Sequence, residues 1–193
     1  MTAPLTGATV EPIIEPMPEP LSGPLDAPTA GPVDGRADER VDGRVREAVA
    51  AVRDPELRVL TIEELGVLRE VLVEDGRVVV TVTPTYLGCP AMEVIKSDIV
   101  SAARAAGGRD VEVLVTYSPP WTTDWIGEEA RAKLGAAGVA PPGGGPVPLT
   151  LSVRCPHCGS PDTAQIARYG ATLCRALWRC TRCRQPFEHL RDH

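Results

Sequence analysis

Four cysteines stand in two matched hooks, Cys155-Pro-His-Cys158 and Cys180-Thr-Arg-Cys183, with 21 residues between them. Paired Cys-x-x-Cys spacing lets four thiolates converge on one tetrahedral ion, because each hook is a tight turn that aims both sulfurs the same way. Gly159, directly after the first hook, supplies the backbone freedom such a turn needs. A closed four-sulfur site suits structural zinc. The same donors also describe a rubredoxin-type single iron, and softness and geometry alone leave both metals open. With zinc the module is a scaffold; with iron it is an electron carrier.

A further sulfur stands apart. Cys89 lies in the run Thr81-Val-Thr83-Pro-Thr85-Tyr86-Leu87-Gly88-Cys89-Pro90. If Pro90 is the first helical residue, Cys89 takes the N-cap. There the helix dipole and free N–H groups stabilise a thiolate, lower its pKa and raise its affinity for metal. Gly88 lets the backbone turn closely, and Thr81, Thr83 and Thr85 alternate, so their hydroxyls could share a face with the thiolate. A single cysteine at a helix start is also commonly a small packing residue, and both roles stay open at this point. Cys174, six residues before the second hook, reads as a small buried or turn-adjacent thiol. His157, His189 and His193 lie near the hooks, but four sulfurs already complete a tetrahedron.

The elements that must carry these sulfurs follow from periodicity. Residues 1–36, with eight prolines before residue 34 and little regular pattern, are expected to form a disordered Pro-rich tail. From about Asp38, Val41, Val45, Ala48, Val49 and Val52 recur with helical spacing until Asp54-Pro55-Glu56 stops them. Val67–Val73 and Val78–Thr83 flank Glu74-Asp75-Gly76-Arg77, and the Asp-Gly pair predicts a hairpin. Pro90 opens a second helix that runs to about Ala106, with Val94, Ile95, Ile99, Ala102 and Ala103 on one side and Gly107-Gly108 at its end. A strand over Asp110–Val115 and a third helix over Thr123–Ala137 complete an αββαβα order. The expectation is an α+β fold: a three-stranded domain over residues 37–137, a Gly/Pro-rich linker over 138–150, and a four-cysteine, zinc-ribbon-like module over 151–193.

That last module is too short to fold on apolar burial alone. Ile166, Leu173, Leu177, Trp178 and Phe187 offer roughly 1.5–3 kcal/mol each if buried, against about 10–16 kcal/mol from structural zinc in small peptides. The metal is therefore expected to drive its folding, with short strands near Gln165–Tyr169 and Ala176–Cys180 carrying the hooks.

Charge is uneven along the chain. Residues 148–193 carry seven arginines and three acids, whereas residues 34–147 carry 13 bases and 19 acids. A basic zinc module invites a nucleic-acid reading, yet the arginines are scattered without interleaved aromatics, which argues against one. An arginine-bearing face docking on an acidic protein fits equally well. No apolar run approaches the roughly 20 residues of a membrane helix. Residues 1–35 carry no Lys or Arg, so no secretory signal is expected. The expectation is a cytoplasmic protein whose six cysteines are metal-bound or reduced.

Four separated motifs, Asp54-Pro55-Glu56, Glu64-Leu65-Gly66-Val67, Thr81-x-Thr83 and Cys89-Pro90, occur in an order that resembles the iron–sulfur cluster assembly family of small α+β proteins. Adding Pro119-Pro120-Trp121-Thr122-Thr123-Asp124-Trp125-Ile126 and the terminal Cys155-Pro-His-Cys158-Gly…Gly170-Ala-Thr-x-Cys174-Arg-Ala-Leu177…Cys180-x-x-Cys183 narrows the resemblance. Everything after the tail resembles the PaaD family, whose members belong to bacterial phenylacetyl-CoA epoxidase (ring 1,2-epoxidase) systems. The long Pro-rich tail departs from that pattern.

The resemblance implies a non-catalytic accessory component of a monooxygenase system in aerobic phenylacetate breakdown, with the oxygenase and reductase subunits as partners. It implies help in assembling or maintaining iron or iron–sulfur centres. It also implies a transient iron or cluster site at Cys89, with Asp54 and Glu56 as acidic neighbours. One thiolate per chain cannot hold a cluster that takes four protein ligands, so a homodimer, a partner or small thiols would complete it. The competing functions are a rubredoxin-like electron-transfer component and a structural zinc-ribbon adaptor. Oxygenation itself is not expected here, since the chain has neither the Glu-x-x-His pair of a carboxylate di-iron centre nor a Gly-x-Gly-x-x-Gly fingerprint.

Overall fold

The computed structural model describes residues 35–143 and 153–192, with side chains from Val41 onward. Residues 1–34 of the expected Pro-rich tail and most of the expected linker lie outside the described residues, while Gly35 and Arg36, expected in the tail, already belong to the first helix. Among the described residues the fold is α+β, with three α-helices and two sheets. The first sheet has the order β1-β2-β3, from strands Leu68–Glu74, Arg77–Val82 and Asp110–Val115. β1 and β2 are antiparallel, and β2 and β3 are parallel, as a crossover through a helix requires. The hairpin turn is set by two residues with positive φ, Asp75 at 50° and Gly76 at 79°, the backbone a two-residue type I′ turn demands.

Helix α1 (Gly35–Ala50) and helix α2 (Ala91–Ala105) pack together, α1 also against β1 and α2 against β3. Val45 and Val49 of α1, Ile95, Ile99 and Ala103 of α2, and Val78, Val80 and Val82 of β2 form the closed centre of the core. Val94, expected on the apolar side of α2, instead faces outward at 48% exposure, and Met92 takes its place in the core. Gly108 follows α2 where a Cβ would meet Val78 Cγ2 at 2.8 Å, so the helix can return onto the sheet only through a residue without a side chain.

The expected third helix is broken. A single 3₁₀ turn, Thr123–Trp125, is capped by the Thr122 hydroxyl, which accepts the Asp124 N–H. Ile126 and Gly127 are then extended before α3 (Glu128–Ala136) begins. Arg131 holds the break, donating to the carbonyls of Ile126, Thr123 and Pro142. Trp121 anchors the segment, its indole N–H donating to the Leu65 carbonyl at 2.8 Å inside the core.

The second sheet has the order β4-β7-β6-β5: Val139–Ala140, Pro186–Leu190, Arg175–Cys180 and Thr163–Ala167. Strand β4 corrects the expected linker. Residues 139 and 140 leave α3 and pair in parallel with Glu188 and His189 of β7, and Ala140 is buried. Strand β7 is likewise an element that the sequence pattern does not announce. Two residues of this sheet region, Cys174 and Leu190, belong to the core of the first sheet and its helices. Ala140, Val153, Cys155, Cys180 and Phe187 form a small core of their own around the hooks. Ile166 and Leu173 are about half exposed, so apolar burial in this sheet is even less than composition offered.

Candidate functional site

The two hooks are built alike. Gly159 and Arg184 each follow the second cysteine of a hook with positive φ, 69° and 64°. At the same offset the Cys155 N–H donates to the Ser160 carbonyl and the Cys180 N–H to the Gln185 carbonyl, both at 3.0 Å. A further N–H, from Cys183, points at the Cys180 sulfur at 3.4 Å. It and the Arg182 N–H hold the Cys180 thiol below its ordinary value, in favour of the thiolate.

The four sulfurs lie within 4.8 Å of one another, with Cys155 to Cys183 at 3.7 Å and Cys158 to Cys180 at 3.6 Å. None is in a disulfide. A tetrahedral ion with Zn–S bonds of about 2.3 Å requires sulfurs about 3.8 Å apart, so the donor set fits a closed four-sulfur centre. Among the described residues no other three His, Cys, Asp or Glu side chains bring ligand atoms this close together. His189, which neighbours the hooks in sequence, is buried edge-on against Trp178 rather than turned to the sulfurs.

Away from the hooks, Cys89 lies within electrostatic range of Asp54 and Glu56. Residues 52–62 form a tight loop, closed by a bridge between Arg53 and Thr61 and by Ile62 N–H donating to the Val52 carbonyl at 2.8 Å. Asp54 organises its bend: one carboxylate oxygen accepts the N–H groups of Glu56 at 2.8 Å and Leu57 at 2.6 Å. Burial to 7% exposure raises the Asp54 carboxyl above its ordinary range; those two bonds and Arg175 oppose the rise, and Glu56 adds to it. Asp54 is thus committed to positioning Glu56, which stands half-buried beside it.

Cys89 lies one residue before the helix cap, Pro90, whose φ of −68° and ψ of −23° are already helical. Its sulfur accepts the Ala91 N–H and the Tyr86 hydroxyl, so it does the work of a cap. The expected acidification does not follow. Burial dominates and pushes the Cys89 thiol up, with the charges of Glu56 and Asp54 adding, while the two hydrogen bonds oppose. The helix dipole is a local influence; the low dielectric and the two carboxylates come from tertiary packing. Thr83, expected to show its hydroxyl on the same face, is buried with that hydroxyl unpartnered. It lines an apolar cleft of about 280 Å³ with Tyr86, Tyr117 and Trp121.

The sequence pattern misses the other half of this neighbourhood. Cys174, from the loop between β5 and β6, donates its thiol to Glu56 Oε2 at 3.3 Å and lies 3.0 Å from the Thr172 hydroxyl. Burial pushes its thiol up to about 12, the Thr172 contact opposing and Glu56 reinforcing. Arg175 lies in electrostatic range of both Asp54 and Cys174, and Tyr86 in range of Cys89, Glu56 and Cys174. The only sequence sign is an odd cysteine among glycine, threonine and arginine.

Known proteins resemble the chain in both parts. Residues 42–115 match the family described as iron–sulfur cluster assembly protein, and residues 142–191 match the PaaD zinc β-ribbon domain. A protein of Escherichia coli (strain K12), named for a place among the subunits of 1,2-phenylacetyl-CoA epoxidase, is 41% identical over 145 residues, covering 74% of this chain and 88% of its own length. The Fe–S protein maturation auxiliary factor YitW of Bacillus subtilis (strain 168) is 38% identical over 90 residues, 46% of this chain and 87% of that one. A crystal structure of a DUF59 domain of unknown function from Bacillus anthracis is 28% identical with a TM-score of 0.47, covering 53% of this chain and 98% of that one.

Proposed function

Because the chain belongs to the PaaD family of phenylacetyl-CoA epoxidase components, we propose that it is a non-catalytic accessory component of such an epoxidase, in aerobic phenylacetate breakdown in the cytoplasm. In this role it assists the assembly or upkeep of iron or iron–sulfur centres in the oxygenase and reductase subunits. Its relatives among Fe–S protein maturation auxiliary factors support the assembly half of that reading. The observation that carries it is local. A cysteine sulfur held by the Ala91 N–H and the Tyr86 hydroxyl lies within electrostatic range of Glu56, in the segment that matches the assembly family.

Cys89 is the proposed point of contact with the iron or cluster, Glu56 the flanking carboxylate, and Asp54 the residue that positions Glu56. A sulfur whose proton is retained by burial binds metal weakly, since binding must displace that proton. Weak binding suits a site that hands its cargo on.

Cys155, Cys158, Cys180 and Cys183 are proposed to hold one resident zinc, which would close the two hooks and drive folding of the small sheet. The match to a zinc β-ribbon supports zinc over a rubredoxin-like iron. Residues 37–137 and 151–193 are proposed as the two working parts. The decisive experiment co-expresses the chain with the oxygenase and reductase and measures their iron content. Cys89→Ala is expected to leave them iron-poor, whereas full iron loading and full epoxidation with Cys89→Ala would end the proposal. Elemental analysis of the purified chain tests the metal: one zinc and no visible absorbance is expected, and stoichiometric iron with visible colour would make it an electron carrier.

A further inference from the structure

The loop between β5 and β6 is rooted at the seam between the ribbon and the assembly-like part. Cys174 is 4% exposed inside the core of that part, and its thiol meets Glu56 Oε2 at 3.3 Å. Just before this anchor the loop turns outward, with Tyr169 49% and Leu173 52% exposed. Two guanidiniums gather on the tyrosine, Arg191 at 5.1 Å and Arg168 at 5.8 Å from the ring centroid. Arg191 also donates to the Leu173 carbonyl at 2.9 Å, so Arg168, Tyr169, Arg191 and Leu173 form one continuous patch. The loop is braced from behind. Gly170 N–H donates to the Arg175 carbonyl at 2.6 Å, and Ala171 N–H to Glu188 Oε1 at 3.1 Å. Arg175 Nε donates to the Thr172 hydroxyl at 3.0 Å, and Arg191 N–H to the Cys174 carbonyl at 2.9 Å.

Among the described residues neither Arg168 nor Arg191 has an ion pair, and Glu188, the acid that braces the loop, is taken by Arg175. Two like charges around one exposed ring repel each other until an anion joins them. Resting on the accessory role proposed above, we infer that this patch is the docking surface for an acceptor subunit of the epoxidase, one that presents carboxylates around an exposed apolar side chain. Tyr and Arg are the residue types that carry most binding energy at protein interfaces, and a braced loop loses little conformational freedom when it is covered. The charge of the module supports an acidic partner, since residues 148–193 carry seven arginines against three acids. Tyr169 is the one exposed Tyr, Trp or Phe among the described residues of the ribbon, Phe187 being buried and Trp178 half-buried. A nucleic-acid strand takes a row of stacking rings instead. Position gives the patch its use. Leu173 adjoins Cys174, so a subunit docked here arrives close to Glu56, the carboxylate proposed to flank the cargo.

The test measures binding of the full, zinc-loaded chain to the purified oxygenase and reductase subunits by biolayer interferometry. One of them is expected to bind, with Kd rising about tenfold or more as salt goes from about 0.05 to about 0.5 M. Tyr169→Ala and Arg168→Glu are each expected to weaken binding about tenfold or more, while Arg168→Lys, which keeps the charge, retains most of it. Arg168→Glu leaves every bracing hydrogen bond of the loop in place, and unchanged zinc stoichiometry and circular dichroism guard against a folding defect. Subunit binding that neither Tyr169→Ala nor Arg168→Glu changes would overturn this inference and leave the accessory role standing. No binding to either subunit would overturn both. A single-stranded oligonucleotide bound as tightly as the subunit, or self-association of the chain, lost in the same variants, would overturn it in favour of nucleic acid or a second copy.

Discussion

Leu190→Ala separates docking of the ribbon from its folding. Leu190 is on β7, yet it is 1% exposed and packs in the core made by α1, α2 and the first sheet. Truncation there removes buried carbons and leaves a cavity, at a cost of about 2–5 kcal/mol. The loss falls on the docked state, because the hooks have their own core in Ala140, Val153, Cys155, Cys180 and Phe187. At about 1.4 kcal/mol per factor of ten, the undocked population rises roughly 30-fold to a few thousand-fold. Cys174 reports it, since a thiol this buried reacts only when the seam opens. The assay treats the zinc-loaded chain with iodoacetamide and follows each cysteine by mass spectrometry over time. Where reclosing outpaces alkylation, the rate at Cys174 follows the open population, while the four metal-bound sulfurs stay unreacted. A Cys174 rate within about threefold of wild type, in a variant whose unfolding midpoint has dropped, would refute the claim that this side chain holds the two parts together.

Three further outcomes are expected. Chelation, or Cys180→Ser, removes the metal, melts β5 to β7 and makes Cys174 reactive while α1, α2 and the first sheet persist; amide hydrogen exchange checks this, and a protected ribbon without metal would contradict it. Trp121→Phe leaves the Leu65 carbonyl unsatisfied in the core and lowers stability by about 1–3 kcal/mol in urea titrations; no change would mean that water reaches that carbonyl. His189 has its pKa lowered by burial, with Asp192 opposing and Arg191 assisting. Its neutral form is therefore the folded one. The stability it contributes is present above its ordinary value of about 6.5 and is lost as pH falls through the lowered folded value. His189→Gln is expected to flatten the fall in stability between about pH 7.5 and 5, read by denaturation midpoints; an unchanged slope would remove His189 as the cause.

Local chemistry is legible where local forces decide. Asp75-Gly76 announces the hairpin because only a two-residue turn with positive φ joins strands that close. The alternation of valines in β2 places Val78, Val80 and Val82 in the core because one face of the strand is wholly buried. The two hooks are readable because their turn geometry is nearly self-contained. What escapes depends on distant partners. Val139–Ala140 is a strand only because β7 lies alongside, and Pro186–Leu190 carries too mixed a pattern to announce one. The break at Ile126-Gly127 rests on Arg131 reaching three carbonyls. Cys174 cannot be matched with Glu56 across 118 positions without knowing how the ribbon docks. The thiol of Cys89 departs from its local expectation for the same reason, since burial and two carboxylates outweigh a helix end.

The short pairing of Val139–Ala140 with β7 bears on how the protein can be dissected. A fragment cut at residue 142, where the zinc-ribbon match starts, would keep every sulfur of the tetrahedral centre and still strip one border of its small sheet. Bare main-chain donors and acceptors along Glu188 and His189 would then be free to recruit strands from other copies. Self-association of such a fragment would reflect the missing neighbour rather than a native oligomer, and a usable excision has to begin upstream of β4.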